Sequence, residues 1–290
     1  MNEFKTYHPI VNFTYFVFVI GFSCFFMHPV CLGISLMSGF IYSVVLKGKK
    51  QIKTNLIYML PMLIMMAVIN AAFNHEGITI IEYMPDGNPL TLESVVYGLC
   101  AAAMIISVIC HFSCYNEVMT SDKFIYLFGR ISPALALVFS MTLRFVPRFT
   151  EKLREVTTAR RSLGKTAAGN SVGARIKSGL SSLSATLTWA LENSIETADS
   201  MKARGYGIPG RTSFSIYTFD KRDKITLALL LTLALCVICG RVCGALSFSY
   251  FPRFGALRRD FISVLSGISY LLLCILPVII ELKEARRWKN

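Results

Sequence analysis

The chain has 290 residues, 54% of them hydrophobic, a mean hydropathy of +0.54 and a formal charge of +13. That composition excludes an ordinary soluble domain and marks a membrane protein. The excess of Lys and Arg suits cytoplasmic loops drawn to anionic lipid headgroups, so it argues for membrane lipids as partners and against nucleic acid.

A span needs roughly 20 apolar residues, and the apolar runs predict spans over about 10–27, 29–46, 55–73, 95–115, 225–243 and 260–280. The first is not expected to be a cleavable leader: His28 and Pro29 and a second apolar run follow it at once, without a small-residue cleavage pattern. Lys47, Lys49, Lys50 and Lys53 place the loop after the second span in the cytoplasm. The loop over 74–94 carries Glu76, Glu82, Asp86 and Glu93 and no basic residue, so it belongs outside. Within it, Pro85-Asp86-Gly87 separates two apolar stretches and predicts a tight turn or short hairpin acting as a structural cap. Both termini are then cytoplasmic, in agreement with Lys283, Arg286, Arg287 and Lys289. The loop over 241–259 opposes this, since Arg241, Arg253, Arg258 and Arg259 fall outside by the count of spans; the remaining segments decide the orientation.

Three regions follow: N-terminal transmembrane helices over 1–115, a charged cytoplasmic region over 116–224, and C-terminal transmembrane helices over 225–290. The middle region has no continuous apolar run long enough to span, and its short run at about 131–143 reads as the membrane-proximal start of the next helix. Two long helices are predicted there. The first covers about 133–163, starts at Pro133, is kinked by Pro147 and stops at Gly164. Its apolar positions Phe149, Leu153 and Val156 are continued by Arg160 and Leu163. The second covers about 174–204, where Leu183, Leu187, Ala190, Ser194, Ala198 and Met201 draw a narrow stripe that Arg204 continues. Gly205 then ends the helix. Ser178, Gly179, Ser181, Ser182, Ser184 and Ala185 would let the two helices cross at close range.

The two helix ends resemble each other. Ala159-Arg160-Arg161 stands near one and Ala203-Arg204-Gly205 at the other, each with its first Arg on the apolar face. A cation at a helix C-terminus is favourable by roughly 0.3–1 kcal/mol, which would explain one such residue. Two matching ends suggest instead guanidinium groups that enter grooves on another protein.

Other chemistries find little support. Gly164-Lys165-Thr166 resembles the end of a phosphate-binding loop, but Ala159 occupies the position of the required earlier Gly, and a helix precedes it. ATP is therefore not expected to bind this chain. Among nine Cys, Cys236-x-x-Cys239-x-x-x-Cys243 and His111-x-x-Cys114 are the best metal candidates, and both read as small buried apolar residues within spans. The spans hold almost no Asp, Glu, His or Lys. His111 and Arg144 lie near ends and Asn70 is the notable polar residue, so neither a catalytic site nor a proton-coupled pathway is expected.

The segments Arg144-Phe145-Val146-Pro147-Arg148-Phe149, Ala159-Arg160 and Ala198-Asp199-Ser200-Met201-Lys202-Ala203-Arg204-Gly205-Tyr206 resemble the transmembrane T component of energy-coupling factor (ECF) transporters, which includes the CbiQ-type cobalt transport proteins. The resemblance extends over nearly the whole chain. It implies an all-α membrane protein of about six transmembrane helices with a cytoplasmic coupling domain of long crossed amphipathic helices. In that family the crossed helices end in Ala-Arg-Gly motifs, and each Arg docks in a groove of one of two ABC-type ATPase subunits. A small S component in the membrane binds the vitamin or metal ion. Carried over, the coupling residues are Ala159 and Arg160 at one end and Ala203, Arg204 and Gly205 at the other, with Arg161 in place of the first Gly. ATP and Mg would reside on the partner subunits, with no cofactor on this chain. The setting would be a bacterial or archaeal cell (inner) membrane. The alternative class is the solute-conducting permease subunit of an ordinary ABC transporter; a membrane enzyme stands further off, for want of catalytic groups.

Overall fold

The computed structural model describes residues 3–83, 88–129, 132–164, 172–206, 208, 217–255 and 260–287. The chain forms two compact units, one of residues 1–120 with 217–290 and one of residues 121–216.

The first unit is a helical bundle. Its helices are α1 (Pro9–Phe25), α2 (Pro29–Lys47), α3 (Lys50–Phe73), α4 (Leu92–Val118), α8 (Lys221–Val242) and α9 (Phe261–Arg287). Five of these are long and apolar enough to cross a membrane, and α1, at 17 residues, is apolar but shorter. Each expected span has a helix, and the chain is a multi-pass, all-α membrane protein. Proline at the first helical position starts α1 and α2, where its missing N–H removes no hydrogen bond. The Thr91 hydroxyl caps α4 by accepting from Ser94 N at 3.4 Å. Asp220 and Asp223 form a capping box at the start of α8.

Helix α1 is the centre of the core: Val11, Tyr15 and Val19 are fully buried. A bilayer offers little drive for apolar helices to associate, so small and hydroxylated residues join them. Ser23 on α1, Ser35 on α2 and Ser107 on α4 form a chain of hydroxyl contacts, each 2.5 Å, and Tyr270 Oη on α9 joins at 3.3 Å. Gly39 on α2 allows α4 to approach closely, since a Cβ there would lie 2.7 Å from His111 Cε1. The N-terminal 3-10 turn, Glu3–Thr6, is tied in by the Glu281 carboxylate, which accepts the amides of Glu3 and Phe4 at 3.0 Å each. Helix α3 presents most of its apolar side chains outward, as a lipid-facing helix does; Asn55 and Ala71 are its buried residues.

The loop between α3 and α4 contains a two-stranded antiparallel hairpin, β1 (Ile80–Tyr83) and β2 (Pro89–Thr91), with Ile80 opposite Thr91 and Tyr83 opposite Pro89. The expected turn at Pro85-Asp86-Gly87 lies outside the described residues, as do Arg258 and Arg259.

The second unit contains α5 (Ser121–Gly129), α6 (Pro133–Ser162) and α7 (Val172–Ala203). Both long helices form where periodicity placed them. Helix α6 runs unbroken through Pro147, which withdraws the amide that would otherwise bond the Leu143 carbonyl. The boundaries at 120/121 and 216/217 have local causes. Residues 116–118 continue α4, and Phe219 packs on His8 with ring centroids 4.8 Å apart.

Candidate functional site

Helices α6 and α7 form an antiparallel hairpin. Arg160 meets Ser181, Phe149 meets Trp189 with ring centroids 6.0 Å apart, and Leu137 and Met141 share a cavity with Ser200, Met201 and Arg204. The register is held by Trp189. Phe149 contacts its ring edge-on, while Arg148 and Lys152 each place a cation 5.5 Å from its centroid. Two residues of the Arg144–Phe149 segment, Arg148 and Phe149, thus fasten the hairpin.

The antiparallel arrangement puts the two matching motifs at opposite ends. Ser181, the neighbour of Arg160, and Arg204 are separated along α7 by about 35 Å at about 1.5 Å per residue.

The second motif terminates its helix as the glycine requires. Gly205 has φ +78°, a left-handed conformation that disfavours residues with a Cβ. Its N–H donates to Lys202 O at 3.0 Å and the Tyr206 N–H donates to Met201 O at 3.1 Å. These are the paired bonds of a Schellman motif, and they make Arg204 the C-cap. The Arg204 side chain is exposed and lines a cavity of about 440 Å³ with Arg144, Asn193, Glu196, Ser200 and Tyr206. No ion pair joins Glu196 to Arg204 or Arg144 among the described residues.

The first motif ends differently. Arg161 cannot adopt the left-handed conformation cheaply, so α6 continues to Ser162, and Gly164, with φ +66°, supplies the stop. Arg160 therefore lies inside the last turn rather than at the cap. Its Nη1 donates to Ser181 Oγ on α7, and its Nε is enclosed without a hydrogen-bond partner among the described residues. Ala159, Arg161 and Ala203 are exposed. The sequence Lys165-Thr166 lies outside the described residues, and the segment before Gly164 is helix, not the strand a phosphate-binding loop needs.

The stripe expected on α7 is corrected in part. Its inward face is made of small and polar residues, with Ser182 and Thr186 buried and Asn193, Thr197 and Met201 half-buried. Leu183 and Leu187, expected on that face, are 54% and 59% exposed. Close packing uses the small residues at successive four-residue steps, which turns the leucines outward. Ile176, Leu180, Leu191 and Ile195 join them, so α7 carries an uncovered apolar stripe.

No group of three or more His, Cys, Asp or Glu side chains able to hold a metal occurs among the described residues. Cys236 and Cys239 on α8 and Cys243 at its C-cap are exposed, contrary to the expectation that they are buried; His111 and Cys114 are buried in the bundle. His111 Nδ1 lies 2.8 Å from Ser107 O.

A bundle of apolar spans carrying a long helical hairpin defines a multi-pass α-helical membrane protein. The chain belongs to the CbiQ cobalt transport protein family, whose model matches residues 5–214. A protein of Bacillus selenitireducens named energy-coupling factor transporter transmembrane protein EcfT is 32% identical over 111 residues, which is 38% of this chain and 41% of that protein. Proteins of the same name from Lactobacillus helveticus and Staphylococcus aureus are 33% and 29% identical over 100 and 102 residues, 34% and 35% of this chain and 36% and 38% of theirs. Each match spans about two-fifths of the relative's own length.

Proposed function

We propose that this chain is the membrane coupling subunit of an ECF-type ABC importer. It transmits the closure of two ABC-type ATPase subunits to a small membrane S component that binds a vitamin or metal ion. It is not itself an enzyme: ATP and Mg bind the ATPase partners, and this chain holds no cofactor. The observation that carries the reading is the placement of Arg160 and Arg204 at opposite ends of one hairpin, about 35 Å apart along α7. One hairpin can then engage two separate subunits.

Each guanidinium offers a planar fork of donors to acidic or carbonyl-rich groove walls. Ala159 and Ala203 precede the arginines and leave room for a groove wall at each tip. Gly205 fixes the angle at which Arg204 leaves its helix. Pro147 is the place where α6 lacks a backbone donor, and the lever bends there. The uncovered apolar stripe of α7, Ile176 to Ile195, supports a contact with the S component or the bilayer. The loop charges support a cytoplasmic side for both termini and for residues 116–224, and the setting proposed is a bacterial or archaeal inner membrane.

Reconstitution in proteoliposomes tests the reading. The chain together with two ATPase subunits and an S component should support ATP-driven uptake, and omission of the chain should abolish it. Measurable ATP turnover by the purified chain alone, or uptake through the chain without an S component, would favour an ordinary permease or an enzyme instead.

A further inference from the structure

The bundle contains a cleft lined by none of the residues assigned to coupling. It has a volume of about 670 Å³ between α8 and α9, and the N-terminal turn borders its mouth. Its walls are Leu229 and Leu233 from α8 and Leu272, Leu276, Ile279 and Ile280 from α9. Its mouth carries Arg222, Lys283 and Glu3. The Arg222 guanidinium is held in place: it lies 4.9 Å from the centroid of the Tyr7 ring, and Nη2 donates to Thr6 Oγ1 at 3.3 Å. Neither Arg222 nor Lys283 has an ion-pair partner among the described residues, although Glu3 lines the same mouth.

We propose that this cleft binds one anionic glycerophospholipid, with its phosphate on Arg222 and Lys283 and its acyl chains along the leucine walls. Three features of the cleft agree. From Arg222 to Leu233, and from Lys283 back to Leu272, is about 16 Å of helix, close to the depth of one leaflet of a ~30 Å hydrocarbon core. The polarity gradient has the direction of a lipid, cationic at the mouth and apolar below. The mouth's two cations and one carboxylate leave a net positive charge, which matches a headgroup of net charge minus one rather than a zwitterion. Basic pockets between membrane helices at the cytoplasmic face are a physically favourable place for such headgroups.

The test uses the full chain purified in detergent. It is titrated with phosphatidylglycerol, and separately with phosphatidylcholine and phosphatidylethanolamine of the same acyl chains, and the retained lipid is counted by native mass spectrometry. Phosphatidylglycerol should be retained about 25-fold better than either zwitterion, at about a factor of five for each of the two basic residues. The double variant Arg222→Gln, Lys283→Gln should lose that preference. Leu229→Trp, at a half-exposed wall position that tolerates bulk, should lower retention by filling the acyl furrow. Lys224→Gln, two residues along α8 from Arg222 and outside the cleft, should change nothing, and Glu3→Gln should not weaken retention. Millimolar inorganic phosphate should fail to displace the lipid. Equal retention of the three lipids, a preference surviving in the double variant, no effect of Leu229→Trp, or displacement by phosphate would each overturn the proposal.

Discussion

Arg160 on α6 donates a hydrogen bond through Nη1 to Ser181 Oγ on α7, and so reaches across the hairpin rather than straight off its end. Arg204 at the other end has no such partner among the described residues. The two cations share a motif and differ in their freedom.

The Ser181 contact is exposed, and such a bond contributes about 0.5–1 kcal/mol. Ser181→Ala should therefore leave folding intact and free the Arg160 guanidinium. If Arg160 acts on a partner subunit, Ser181→Ala keeps co-purification of the ATPase subunits within about two-fold of normal. Loss of the subunits in Ser181→Ala would show that Arg160 matters within the hairpin.

Trp189 is the fastening of α6 to α7. Replacement by Ala removes one edge-on aromatic contact and two cation contacts, together about 1–3 kcal/mol. Hydrogen exchange should rise across residues 133–203 and stay unchanged in α1 and α9. Unaltered protection of α6 and α7 would contradict this role.

Topology can be read by labelling in a background free of the nine native Cys. Cys placed at Asp86 should react with a membrane-impermeant reagent in intact cells, and Cys at Lys165 should not. The opposite pattern would invert the orientation and remove the hairpin from the ATPase side.

His28, in the connection between α1 and α2, gives a pH dependence. Burial holds its imidazole below the ordinary pKa; its Nδ1 has no partner among the described residues, and its ring meets Phe248 edge-on at 5.9 Å. The unfolded chain then takes up the proton more readily than the folded one. The contribution to stability is full above about 6.5 and declines as pH falls below that value. Thermal stability in detergent should fall between about pH 7.5 and about 5.5, and less so in His28→Phe. Equal pH dependence in the two proteins would assign the effect elsewhere.

The spans, the two long helices and their glycine stops were legible because apolar run length, helical period and left-handed glycines are local signals. Gly205 and Gly164 both stand where the sequence placed a stop. The packing face of α7 was not legible. In a hairpin joined by small residues the inward side is Ser182 and Thr186, so a search for an apolar stripe finds the outward leucines in part. The cavity that brings Arg144 and Glu196 to Arg204 depends on the register between α6 and α7. That register is set by Trp189, a residue with no motif of its own. The pattern around Trp189 is readable in part, since Lys152 follows Phe149 by three residues and Arg148 by four, which makes it a neighbour of both on the helix surface.

The central claim is that Arg160 and Arg204 hold the ATPase subunits, and the most direct measurement is co-purification of those subunits, with solute uptake, in Arg160→Ala, Arg204→Ala and the double variant. A docked guanidinium that leaves its partner groups unpaired costs several kcal/mol, against roughly 0–1 for an exposed surface pair. Each single change should impair both readouts, Arg204→Ala the more, because its cap is intact and exposed while Arg161 stands beside Arg160 as a substitute. The double variant should lose the subunits. Arg→Lys should restore little, since an ammonium lacks the fork, and Lys177→Ala, on α7 outside both motifs, should behave as wild type. A double variant that keeps the ATPase subunits and full uptake would contradict the account and reduce both arginines to helix-end charges.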